Sequence, residues 1–224
     1  MINRSLLSIA ENELQIAALV VMAFIYTMRL RWMFKKNLIK ERTPARGDPQ
    51  RGARASLLSI AMPWTMESMI KHPLRYIEFV IFHLGVAAAI TASFIIPYAS
   101  SFFRIMYVMY AFQGIIGLAV LAGIIRLIKR LTMQDLKLIS SMDDYFSLIL
   151  LDVWMFTAFF SIPNNNHTAL TAFFILTAFF LIYVPFSKIS HYLYYPFART
   201  YFGRHFGRRG VYPKVSAKNM EVSK

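Results

Sequence analysis

Five stretches of the chain are apolar almost without interruption, and polar or basic residues collect between them. A helix needs about 20 apolar residues to cross the hydrocarbon core of a bilayer. On that measure the first crossing covers 14–32, clearest over Leu14–Met28, with Trp32 at an interface. The second covers 77–98, the third 105–125 and the fourth 145–162. The fifth starts near Ala169 and reads on through Ser187 and His191 to residue 195. None of these runs alternates as a membrane barrel strand does, so the spans are expected to be helices. Pro97, Pro163 and Pro196 stand at or near their ends, where helices stop. The expected fold is all-α: one integral membrane domain over 1–224, a bundle of five transmembrane helices.

Lys and Arg orient the bundle. The connection between the first two spans (29–76) holds 11 of them, the segment 126–144 holds four, and the stretch from Lys188 onward holds eight. Only Arg4 and Arg104 fall on the other side. The positive-inside rule then puts the N-terminus outside and the C-terminus in the cytoplasm, with a cytoplasmic connection over 33–76 and a tail over 196–224. Within the connection, residues 40–54 (KERTPARGDPQRGAR) are polar with Pro and Gly and read as loop. Residues 56–71 (SLLSIAMPWTMESMIK) are apolar around Trp64. They read either as a segment on the inner surface or against a partner, or as a helix packed on its own bundle.

Composition agrees with this reading. The chain is 57% hydrophobic and only 16% charged, with a mean hydropathy of +0.47. Its net charge of +14 might call for nucleic acid, but the basic residues flank apolar runs, where lipid headgroups lie. No nucleic-acid partner is expected. The absence of cysteine excludes disulfides, thiolate-held iron–sulfur clusters within this chain, covalent c-type haem attachment and a Cys nucleophile. The N-terminal MINRSLLSIAENELQ, acidic before the first apolar run, does not read as a cleaved signal peptide.

An ionisable residue inside a membrane is costly and marks a candidate site. Of the five histidines, His83 lies about 9 Å into the second span from its inner end, at 1.5 Å per residue. His191 falls at the inner end of the expected fifth span. His72 and His205 flank the same side in polar sequence, and His167 stands alone on the outer side. Two imidazoles on different helices at similar depth can ligate one haem iron from both faces. His83 and His191 are the pair with that placement, although they also read as a satisfied polar residue and an unrelated interfacial one. Gly85 and Ala87–Ala89 leave room near His83, or serve helix packing. Arg75, Arg126, Lys129 and Arg199 are available to haem propionates, and inner-side topology alone also explains them. Asp152, about 10 Å into the fourth span, Glu78 and His72 are candidate proton or quinone-site groups. Each acid also reads as a structural hydrogen-bonding or ion-pairing residue.

Four segments together resemble a known family. They are PLRYIEFVIFHLGVAAAI, YAFQGIIGLAVLAGIIRLIKR, DDYFSLILLDVWMFTAFFSIP and, most specific, PFSKISHYLYYPFARTYF. In order and spacing they resemble the gamma, cytochrome b subunit of respiratory nitrate reductase. The related membrane cytochromes of sulfite-reduction-linked and heterodisulfide-reductase-linked complexes are similar too. The resemblance implies a prokaryotic cytoplasmic membrane and electron exchange between a quinone and a cytoplasmic iron–sulfur subunit. It also implies a haem b with His83 and His191 as axial ligands. The family's second pair of ligands matches Ser93 and Phe173, neither of which can replace imidazole, so one haem per chain is expected.

With no catalytic domain of its own, the chain is expected to be an electron-transfer subunit of a larger complex, with other membrane subunits a further option. The basic connection and Arg204, Arg208 and Arg209 are its expected docking surfaces. Quinone chemistry is expected close to the inner haem or through another membrane subunit. The competing readings are a haem-free membrane anchor for a soluble oxidoreductase and a small transporter using Asp152. The transporter is the weakest, since no inverted repeat is visible.

Overall fold

The structure, a computed structural model, describes residues 5–36, 44–62, 64 and 66–213. Arg4, residues 40–43 of the expected loop, and Lys214, Lys218 and Lys224 of the tail lie outside the described residues. Among the described residues every regular element is helical. The α-helices are α1 (Leu6–Glu11), α2 (Glu13–Lys35), α3 (Pro49–Leu58), α4 (Glu67–Lys71) and α5 (Pro73–Ala99). They continue with α6 (Met106–Thr132), α7 (Gln134–Ile139), α8 (Met142–Ser161), α9 (His167–Tyr183) and α10 (His191–Arg208). Five helical stretches are long and apolar enough to cross a membrane: Leu6–Lys35, Pro73–Arg104, Met106–Thr132, Met142–Ser161 and His167–Phe186. Their outward side chains, such as Phe24, Leu118, Leu121 and Phe156, are exposed and apolar, as contact with lipid requires.

The fifth crossing is shorter than the expected 169–195. α9 stops at Tyr183, a 3₁₀ turn follows over Val184–Phe186 around Pro185, and Ser187 is extended. The Lys188 backbone N–H donates to Asp143 Oδ2 at 3.0 Å, a bond that replaces helix continuation. His191 therefore opens α10 and does not close the fifth span. Pro196, expected near a helix end, lies inside α10.

The sequence led to an expectation of one domain, whereas the chain divides into two compact units. The first comprises Met1–Met33 and Ile77–Ile189. Here α5 presents Phe82, Gly85, Ala89, Ala92 and Ile96 to the core, and α6 presents Ile116, Ala119, Ala122 and Gly123. The small residues let the two backbones approach, since in lipid it is close packing, with no hydrophobic drive, that holds helices together. Between α8 and α9 the filling is aromatic. Trp154 stacks on Phe173 with centroids 5.8 Å apart, and its Nε1–H donates to Thr177 Oγ1 at 2.8 Å. Gln15, at the junction of α1 and α2, donates to Phe174 O at 2.7 Å and ties that junction to α9.

The second unit comprises Phe34–Tyr76 and Ser190–Lys224. Its centre is an antiparallel pair of α3 and α10. At one end the Arg46 and Gly47 N–H groups donate to Arg208 O at 2.8 and 3.0 Å. At the other, Arg199 Nε donates to Ser56 O at 3.1 Å and Tyr195 OH to Leu57 O at 3.3 Å. Between them the backbones meet at Gly52, Gly203 and Gly207. A Cβ on Gly52 would collide with Gly203 O and lie 2.6 Å from Gly207 Cα.

The loop expected over 40–54 is thus corrected from residue 49 onward. Asp48 caps the helix by accepting from Gln50 N–H at 2.7 Å, and Pro49 takes the first turn, where its missing N–H breaks no bond. Gly52 serves contact between helices, and it does not interrupt α3. Sixteen of the 25 Lys and Arg but only four of the 11 acids fall in this unit, so it carries an excess of twelve positive charges.

Candidate functional site

The polar residues of the first unit gather at one end of α5, α6 and α8. Four of the expected site residues meet there: Glu78, Arg126, Lys129 and Asp152. Lys129 Nζ donates to Glu78 Oε2 at 2.5 Å. Arg126 lies with its Cζ 4.9 Å over the Phe82 ring and interacts electrostatically with both Glu78 and Asp152. The last turns of α6 make this possible. The helix runs to Thr132, well past the expected end at 125, and so carries Arg126 and Lys129 in regular register.

Asp152 is 9% exposed, both its carboxyl oxygens are buried, and among the described residues no hydrogen-bond donor reaches them. It fits because residue 123 is glycine: a Cβ there would lie 2.5 Å from the Asp152 Cγ. A buried acid so placed either keeps its proton or relies on the charge of Arg126. Glu78 is different, because its ion pair with Lys129 gives it a structural role.

His83 sits on α5, half-buried, one position round the helix from Phe82. Its Nδ1 is 2.7 Å from the Phe79 carbonyl, which can only accept, so Nδ1 carries the hydrogen. The neutral ring then has its lone pair on Nε2. That is the state an axial ligand needs, with the second nitrogen anchoring the ring. The Phe79 ring packs on the imidazole at 4.1 Å. On its own helix, His83 fits a haem ligand.

The neighbouring glycine gives no such support. A Cβ on Gly85 would meet the Ala119 side chain, so Gly85 serves the α5–α6 seam and provides no room for a macrocycle. Ser93 Oγ donates to Ile90 O at 2.7 Å, and Phe173 is fully buried against Trp154.

The other expected residues lie in the second unit. His191 is exposed in the first turn of α10, His72 is exposed as the cap of α4, and Arg75 is exposed at the start of α5. Arg199 holds the end of α3, through Ser56 O and through Ser59 Oγ at 2.9 Å. It is therefore engaged in the α3–α10 pair. Among the described residues no group of three or more His, Asp or Glu is placed to hold a metal ion, a search that a two-histidine site does not meet.

Sequence reasoning missed a second polar cluster. Asp143 accepts from the Tyr183 hydroxyl and from the Lys188 backbone, while Lys188 Nζ donates to Asp144 Oδ2 at 2.6 Å. Ser141 and Asp144 form a capping box at the start of α8. The signal was present as Ser-x-x-Asp ahead of an apolar run. The chain matches no protein-family model, no curated protein and no solved structure.

Proposed function

We propose that the chain is a membrane cytochrome b subunit that relays electrons between a quinone and a cytoplasmic iron–sulfur partner through one haem b. His83 and His191 are its axial ligands. The observation that carries this reading is the His83 imidazole. It sits on a membrane-crossing helix, and the Phe79 carbonyl fixes its tautomer so that Nε2 bears the lone pair. The order and spacing of the four resembling segments, PFSKISHYLYYPFARTYF above all, support His191 as the second ligand.

Bound haem supplies a one-electron relay. The chain's own residues do the rest. Phe79 O orients His83. Arg126, half-buried and not ion-paired through a hydrogen bond as Lys129 is, is the first-ranked propionate partner. Lys129 and Arg199 rank below it because Glu78, Ser56 and Ser59 hold them. Asp152 is the group able to exchange a proton with a quinone, since Glu78 is paired.

Purified full-length chain should show a reduced-minus-oxidised b-type spectrum with about one haem per polypeptide. His83→Ala and His191→Ala should each abolish it, and His167→Ala should leave it unchanged. Colourless protein with an intact helical fold would overturn the proposal. The haem-free anchor reading would then be favoured, because the strongly basic second unit suits docking with or without a cofactor.

A further inference from the structure

The second unit joins two features that seldom coincide on a soluble surface. It holds an excess of twelve positive charges, and it leaves large apolar side chains exposed. The glycine contacts decide which side chains face outward. With Gly52, Ala53 and Ser56 turned into the pair, α3 presents Arg51 and Arg54 outward, followed by Leu57 and Leu58. With Gly203 and Gly207 turned inward, α10 presents Phe197, Tyr201 and Arg204, and the Tyr201 ring stacks on His205 at 4.1 Å. The two outward faces therefore carry arginines beside aromatic and aliphatic groups.

The arrangement is also polarised along the pair. The apolar end of α3 lies where Tyr195 OH reaches Leu57 O and Tyr76 OH reaches Ile60 O at 2.9 Å. Tyr76 belongs to the first turns of α5, a membrane-crossing helix. Trp64, Ile70 and Leu74, all more than 60% exposed, lie on the chain leading into that helix. Exposed aromatics and aliphatics next to a crossing helix belong at the headgroup boundary, and arginines beside them attract anionic headgroups. Acidic protein would complement the charge but would not account for exposed Trp64, Ile70 and Leu74 at the entrance of α5.

We infer that the α3–α10 pair is an interfacial module that binds anionic phospholipid headgroups of the membrane its own chain crosses. This assigns the outward face of the pair to lipid, and leaves the soluble partner to other surfaces. The inference is independent of the haem.

The chain has no native cysteine, so a single introduced thiol labels one place. Gln50→Cys on α3 and Ala198→Cys on α10, both exposed, would each carry an environment-sensitive fluorophore. The full chain is reconstituted in nanodiscs of phosphatidylcholine alone, or with added phosphatidylglycerol. Phosphatidylglycerol should shift emission to the blue and cut collisional quenching by aqueous iodide several-fold at both positions. Arg51→Gln, Arg54→Gln and Arg204→Gln together should restore quenching, each being worth roughly fivefold in partition to the anionic surface. Circular dichroism of the same samples confirms the fold. Equal quenching in the two lipid compositions would overturn the inference. So would protection that appears only when an acidic protein is added, which would make the face a protein-docking surface.

Discussion

Replacing Gly52 with alanine adds one methyl group where two helices already touch backbone to backbone. That methyl would lie 2.6 Å from Gly207 Cα and closer still to Gly203 O, against the 3.4 Å at which ordinary contact begins. The obstacles are backbone atoms, so no side chain can rotate away. The helices must part by about 0.8 Å or tilt, and the hydrogen bonds from Arg199 and Tyr195 to the end of α3 lengthen with them. Overpacking of this kind costs about 1–3 kcal/mol. If α3 opens locally, that cost should speed amide exchange over residues 49–58 by roughly fivefold to a hundredfold. Hydrogen-exchange mass spectrometry of the full chain in micelles reads the effect directly. Arg54→Ala, at an exposed position one turn away, is the control and should exchange at the parent rate. Gly203→Ala should resemble Gly52→Ala, and the double variant should cost less than the two together, because the first methyl already separates the helices. Parent-like exchange in both single variants would refute the backbone contact.

Two further predictions concern the first unit. Gly123→Ala should expel the Asp152 carboxyl from its niche and destabilise the chain by about 1–3 kcal/mol in denaturant titration. Adding Asp152→Ala should recover most of that loss, and no recovery would show that the carboxyl does not rest on Gly123. Trp154→Phe should lose about 1 kcal/mol with the bond to Thr177, whereas Trp154→Ala should lose about 3–5 kcal/mol through the cavity left against Phe173 and Phe180. Equal losses in both variants would rule out packing as the larger effect.

Much of the first unit was legible as a pattern. Apolar runs longer than the bilayer is thick have few alternatives to a helix, and the first four expected spans lie almost wholly within α2, α5, α6 and α8 with their preceding or following turns. The candidate site was legible only as residue types. Glu78, Arg126, Lys129 and Asp152 stand at ionisable positions near span ends, but nothing local shows that Lys129 takes Glu78 while Asp152 is left with its oxygens against Gly123. Gly85 illustrates the same limit. Beside His83 in sequence it suggested room for a ligand, and its partner proved to be Ala119 on another helix.

The sequence by itself determined where the chain is apolar enough to cross a membrane, because hydropathy over a span is a sum of local contributions. It also determined that the basic residues collect outside those spans. Tertiary structure decided what the breakers mean. Pro196 continues α10, and Pro49 and Gly52 belong to α3 once Gly203 and Gly207 receive it. The fifth crossing ends early because Asp143, on another helix, takes the Lys188 N–H. In each case a residue's local preference is worth a few kcal/mol at most, and contacts made far along the chain outweigh it.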